Sequence, residues 1–311
     1  MENMSTLVTD VFEEGKFWVA DFTVETSYAP GKPPKSLFIV SPTLQGSYPV
    51  VLFLHGFCVV NSFYSSLLRH VSSHGYIVVA PQLYLPPNDM ANGSEELENA
   101  ATVTNWLSKG LQALLPTNVQ PDFTKVALAG HSRGGKAAFA LALGLAHTAL
   151  KFSLLIGLDP VAGFSRCKIC QTPPIILTYF PRTFNINMPV AVIGTGLGSE
   201  PRYLILSCAP RGVNHNEFYE ECKPPRYHFV TTEYGHMDML DDNPNGLLGM
   251  AANCSCVNGK GPREPMRKCV GGIMVAFMRA YFGGNRGDLK AILLDPEIAP
   301  VKLDSVEFDE E

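Results

Sequence analysis

VALAGHSRGGKAAFA, residues 126–140, runs from an apolar stretch into Gly-His-Ser-Arg-Gly-Gly and then into a series of helix formers. A chain that turns sharply from strand into helix brings the two elements close together. Gly130 and Gly134 flank Ser132 at two residues on either side and remove the side chains that would collide. The turning serine is then exposed at the end of the strand in a strained conformation, the Gly-x-Ser-x-Gly nucleophile elbow. The spacing therefore predicts a strand over 125–132 and a helix over 137–145. It also predicts that the main-chain N–H of Arg133, at the helix start, points at whatever oxygen develops charge beside Ser132.

Working outward, the chain alternates strand and helix signals. YPVVLFLHG (48–56), YIVVAPQL (76–83), FSLLIGLDP (152–160) and MPVAVIGTG (188–196) are continuous apolar runs suited to buried parallel strands. SLFIVSP (36–42) and YHFVTTEYGH (227–236) read as strands, and alternation over 17–26 predicts another. Helical spacing covers 64–75, 94–115 and 265–284, with Ser94 as an N-cap and Gly283 as a stop. This order implies an α/β fold, a mostly parallel central sheet with helices on both faces. The stretches 161–187, 197–226 and 237–263 are polar and proline-rich. They follow strands, so they are expected as cap-like insertions at the strand carboxyl ends, where such folds bind ligands. One domain is expected over 1–311, with 1–16 a loosely ordered N-terminal segment.

A serine hydroxyl needs a base within hydrogen-bond reach. In the chain order Ser…acid…His, the base comes late. His236 follows YHFVTTEYG at a strand end, whereas His55, His70, His74 and His131 come too early and His228 should be buried inside a strand. For the acid, Asp159 ends the buried run LLIGLDP. The strand after it ends in GTGLGS, with Gly198 in the more usual acidic slot and Glu200 as the first carboxylate beyond. Asp159 is the favoured acid and Glu200 the alternative. Asp238, Asp241 and Asp242 read as a solvated or capping cluster. The second oxyanion donor is assigned to the N–H of Phe57, after the strand end LHG. Phe57, Val59, Leu85, Met237, Met239 and Leu240 are expected to line an apolar mouth, which suits an ester with a bulky apolar group.

The chain has 311 residues, 46% apolar and 17% charged, with a formal net charge of −5. The charge leaves no basic footprint for nucleic acid. No apolar run reaches the ~18 residues that would span a bilayer. The N-terminus resembles neither a secretory signal nor an Arg- and Ser-rich transit peptide. Of eight cysteines, Cys167 and Cys170 have half of a zinc spacing without a second half, so no metal is expected; one or two disulfides are possible.

LHGF with NSFYSSLLRHVSSHGYIVVAPQLY, GHSRGGKAAFA, IGLDPVAG, VIGTGLG, CAPRGVNHNEFYEEC and YGHMDMLDDNP together resemble plant chlorophyllase over roughly residues 35–305. The resemblance implies an α/β-hydrolase fold and a serine esterase that needs no cofactor. Its substrate would be chlorophyll or a related phytylated tetrapyrrole, cleaved to chlorophyllide and phytol in chlorophyll degradation. It also implies a triad of Ser132, Asp159 and His236. The compartment implied is the chloroplast, with the cytosol as alternative, and peripheral contact with membranes is possible. The rival readings are a general lipase or carboxylesterase, and a ligand receptor on a hydrolase scaffold.

Overall fold

The computed structural model describes residues 9–26, 32–85, 92–202, 207–244 and 246–311. In chain order the strands are β1 (Val19–Val24), β2 (Leu37–Pro42), β3 (Gly46–Leu54), β4 (Ile77–Pro81), β5 (Val119–His131), β6 (Leu154–Leu158), β7 (Val190–Thr195), β8 (Arg226–Thr231) and β9 (Leu303–Asp309). The helices are α1 (Ser65–Ser73), α2 (Gly93–Gly110), α3 (Arg133–Ala142), α4 (His215–Glu221), α5 (Gly246–Ser255), α6 (Glu264–Phe282) and α7 (Gly287–Leu294). Among the described residues one nine-stranded sheet has the order β1-β2-β4-β3-β5-β6-β7-β8-β9. β4, β3, β5, β6, β7 and β8 are parallel, and β1, β2 and β9 join antiparallel at the two ends. This is the mostly parallel α/β architecture expected.

The apolar runs are continuous because both faces of the sheet are covered. In β3, Val51 and Phe53 point into a core closed by α1 and α6, while Val50, Leu52 and Leu54 point into a second core closed by α2, α3 and α4. All five are fully buried, each contributing roughly 1.5–3 kcal/mol of transfer free energy. β6 and β7 alternate between the same two cores. The parallel strands therefore end together at one edge, where the long insertions begin.

Three features depart from the sequence expectation. The N-terminal segment is not loose over its described part. Val11 and Phe12 are buried in the α1–α6 core, and the Gly15 N–H donates to Ser73 Oγ at 2.8 Å. Residues 1–8 lie outside the described ones. The insertions 197–226 and 237–263 carry α4 and α5. α4 starts from a capping box in which Asn214 and Glu217 satisfy each other's main-chain N–H groups. Last, β9 closes the sheet against β8, although its sequence, LDSVEFD, is too acidic to read as a strand alone.

Candidate active site

Ser132 links β5 to α3 with φ 58° and ψ −126°, a conformation L-residues reach only when their surroundings force it. The flanking glycines make that turn possible. A Cβ on Gly130 would lie 2.4 Å from the Gly134 carbonyl oxygen, and one on Gly134 would lie 2.3 Å from that of His55. The serine is 8% exposed and sits in the wall of a cavity of about 490 Å³. α3 starts at Arg133, so the positive end of its dipole faces this cavity.

Three strand ends bring the other groups to Ser132. His236, beyond β8, places Nε2 2.7 Å from Ser132 Oγ and Nδ1 2.7 Å from Asp159 Oδ2. Asp159, directly after β6, also accepts from Thr195 Oγ1 at 2.6 Å. Burial alone would raise the pKa of this fully buried carboxyl. Its hydrogen bond from His236, the nearby His236 and His215 and the Thr195 hydroxyl outweigh burial and hold the pKa below the ordinary value. An ionised Asp159 can only accept, so His236 carries its proton on Nδ1 and offers Nε2 as acceptor to the serine hydroxyl.

Gly198 accounts for the acid's position. A Cβ there would stand 2.8 Å from Asp159 Oδ2 and 2.4 Å from Thr195 Oγ1. The turn after β7 is thus left bare so that the carboxylate from β6 can occupy the space. Glu200 is exposed at the surface, outside the hydrogen-bonded row of Ser132, His236 and Asp159.

The neighbouring aspartates are structural. Asp238 accepts from the Gly235 N–H at 2.7 Å, the Gly259 N–H at 2.6 Å and Arg263 Nε at 3.0 Å, which braces the loop that presents His236. Asp241 accepts from Ser65 Oγ at 2.7 Å and the Ser66 N–H at 3.0 Å, at the start of α1. Asp242 pairs with Arg267 at 2.7 Å.

Of the residues expected to line the mouth, Phe57, Val59 and Met237 do so. Met239 and Leu240 do not. The loop after His236 turns tightly, with the Asp238 N–H donating to Gly235 and the Leu240 N–H to Met237, which drives residues 239 and 240 into the α1–α6 core. Both are fully buried. Leu85 is half exposed and outside the cavity wall, because the chain has left the strand edge by that point. Met239→Asp is therefore expected to destabilise the protein by at least about 3 kcal/mol, as an unpaired buried charge does. Turnover of long and short esters should fall together, in step with the loss of folded protein followed by thermal denaturation. A changed preference between the two esters in a stable variant would return Met239 to the cavity.

The cavity's remaining wall was not legible in sequence. Val161, Gly163, Phe164 and Thr172 come from the insertion after β6. α5 adds Leu248, Ala251, Ala252 and Ser255 to the same wall. A disulfide joins Cys256, just beyond α5, to Cys208 in the insertion after β7, and both cysteines belong to the wall. The apolar run GLLGMAA was the available signal for α5, hidden within a polar stretch.

Phe57 and Arg133 both border the cavity beside Ser132. The Arg133 guanidinium turns toward α2, where its Nε lies 2.5 Å from the buried carboxylate of Glu96. It also stacks on the Phe57 ring at 5.0 Å and on Tyr84 at 5.3 Å. His55, at the start of the loop after β3, is structural: its Nδ1 donates to the Gly56 carbonyl at 2.8 Å and its Nε2 accepts from the Leu83 N–H at 3.0 Å. Burial, partly offset by the bond to Gly56, pulls its pKa down to about 4.

The family model described as Chlorophyllase matches residues 7–310. A chlorophyllase-1 of Arabidopsis thaliana is 50% identical over 284 residues, 89% of this chain and 86% of its own length. A chloroplastic chlorophyllase-1 of Citrus unshiu is 47% identical over 310 residues, 98% of this chain and 90% of its own length. A chlorophyllase type 0 of Chenopodium album is 43% identical over 305 residues, 96% of this chain and 86% of its own length.

Proposed function

The chain belongs to the chlorophyllase family, and from that premise we propose that it hydrolyses the phytyl ester of chlorophyll or a related tetrapyrrole. One observation carries the mechanism: Ser132, His236 and Asp159 form a continuous hydrogen-bonded row at the edge of an apolar cavity. In this reading Ser132 Oγ attacks the carbonyl carbon of the propionate ester as His236 Nε2 takes the hydroxyl proton. Asp159 stabilises the imidazolium that forms. The N–H groups of Phe57 and Arg133 receive the oxyanion. Collapse of the tetrahedral intermediate breaks the bond to phytol, which leaves with the proton from Nε2. Water, deprotonated by the same nitrogen, then releases chlorophyllide and restores Ser132.

The cavity supports a greasy substrate. Its wall is mostly apolar, and at about 490 Å³ it lies within the ordinary range for small-molecule sites. Both halves of a chlorophyll ester are large, so part of the molecule extends past the mouth. Phe164 of the wall is strongly exposed, as are Leu247 and Met250 on the outer side of α5, and all three offer apolar contact there. Among the described residues no helix is long and apolar enough to cross a membrane. The chloroplastic names of the Citrus relatives support a location in the chloroplast.

Incubation with chlorophyll and, separately, with a long-chain triacylglycerol tests the substrate assignment. Chlorophyllide and phytol should appear from the first at a far higher kcat/KM than fatty acid from the second. The reverse preference would make the chain a general lipase. The wall contributed by α5 has its own test. Leu248→Asp is expected to lower kcat/KM for chlorophyll by roughly tenfold or more, because a charge must be desolvated against the bound ester. Turnover of p-nitrophenyl butyrate should change little. An unaltered ratio between the two substrates would show that α5 does not contact the large ester.

A further inference from the structure

We propose that Tyr64 and His131 are positioning residues that hold the oxyanion loop in register with the nucleophile and the base. The inference rests on the reading above, in which the Phe57 N–H receives the oxyanion. Tyr64 closes the short turn Asn61–Tyr64 before α1, and His131 is the last residue of β5. Neither side chain is exposed to solvent. Tyr64 Oη lies 3.0 Å from the Gly56 nitrogen and 2.7 Å from His131 Nδ1. His131 Nε2 lies 3.0 Å from the main-chain oxygen of His236. Three loops, after β3, β5 and β8, are thus joined by two side chains.

The direction of every bond in this chain is determined. A carbonyl oxygen only accepts, so His131 carries its proton on Nε2 and donates to His236. Nδ1 of the neutral ring must then accept, and the Tyr64 hydroxyl donates to it. The phenol oxygen is left to accept from the Gly56 N–H. Burial is the main reason that the His131 pKa is held well below the ordinary value, helped by the neighbouring His236, so the ring stays neutral and the pattern does not reverse. Linked donors and acceptors in a dry interior polarise one another and stiffen the whole.

Steric contact tightens the same junction. A Cβ on Gly56 would lie 2.9 Å from His131 Nδ1 and 3.2 Å from both Ser132 Cβ and Tyr64 Oη. The loop backbone therefore rests directly on the elbow, one residue before the Phe57 donor. The His131 and His236 rings are 4.5 Å apart. An oxyanion donor is useful only within about 0.2 Å of its best distance to an oxygen that forms transiently. The hydrogen-bonded chain supplies that registration without either side chain taking a proton from the substrate.

The experiment uses the full chain and p-nitrophenyl butyrate, so it does not depend on the identity of the natural ester. Tyr64→Phe, His131→Leu and His131→Gln are compared for kcat, KM and inhibitor affinity. The inhibitors are a trifluoromethyl ketone, which forms an oxyanion on Ser132, and an unreactive ether of the same shape. Tyr64→Phe is expected to lower kcat roughly ten- to a hundredfold, as small misplacements of catalytic groups do. Ketone affinity should fall by a similar factor, with KM and ether affinity unchanged. His131→Leu should behave likewise, and His131→Gln should recover part of the loss, since an amide keeps one donor and one acceptor. Should Tyr64→Phe fail to fold, the two His131 variants read the chain from its other end. Wild-type kcat and ketone affinity in folded variants would overturn the proposal, as would equal loss of ketone and ether affinity. Stoichiometric phosphonylation of Ser132 in the wild type tests the serine mechanism, on which that reading depends, separately. Its absence would remove the nucleophile reading, and this inference with it.

Discussion

A folded Ser132→Ala protein is expected to lose on the order of 10⁶ in kcat, the scale seen when a triad nucleophile is removed. The expectation follows from the row Ser132 Oγ–His236 Nε2–Asp159 Oδ2, in which both links are 2.7 Å. Deleting Oγ leaves His236 with no proton to take and the ester with no covalent partner. What survives is binding in the cavity and the oxyanion donors, which by themselves give roughly 10³–10⁴ over water. The fold should be spared, because the serine's strained backbone accepts alanine as well as serine and, among the described residues, the hydroxyl bonds to His236. Single-turnover kinetics on p-nitrophenyl butyrate, with circular dichroism to establish the fold, make the measurement. More than about a tenth of wild-type activity in a folded variant would rule out a serine mechanism, since no triad member is that dispensable.

The second large effect discriminates between two carboxylates. Asp159→Asn is expected to cost roughly 10⁴ in kcat, as the loss of a triad carboxylate does when geometry is kept. The amide would present a donor toward His236 Nδ1, favour the other tautomer, and leave Nε2 carrying a proton just where it must accept one. The Thr195 main-chain N–H, 3.4 Å from Oδ1, keeps an acceptor only if the amide oxygen stands there, and this puts the NH₂ at the Oδ2 position, toward the histidine, where the Thr195 hydroxyl can rotate to accept. Glu200→Gln should be close to wild type, because Glu200 is a surface residue. Steady-state kinetics on both variants at neutral pH decide the matter. A severe loss in Glu200→Gln with a mild one in Asp159→Asn would move the acid to the turn after β7.

The elbow was legible because its physics is local. Strand, glycine, serine, glycine and helix are contiguous, and the steric demand that selects glycine at 130 acts between residues only a few positions apart, although the one at Gly134 comes from the end of β3. His236 was legible by elimination, from its place at a late strand end. The mouth was legible only in part. Met237, Met239 and Leu240 are equally apolar as letters. Which of them faces the cavity is decided by the tight turn that Asp238 braces with Arg263, a residue 25 positions away. Thr195 ends an apolar strand without announcing its partner, since that partner reaches it from a neighbouring strand.

By itself, the sequence determined the α/β class, the parallel strands, the elbow at Ser132 and the late histidine. These rest on periodicity, on glycine sterics and on chain order, all of which are written along the chain. Tertiary structure alone decided that Gly198 makes room for Asp159, that Cys208 pairs with Cys256, that α5 walls the cavity, and that Tyr64 and His131 connect three loops. Each of these is a contact between segments far apart in sequence. Their proximity is set by how the sheet stacks its strand ends at one edge, and no local pattern of residues encodes that distance.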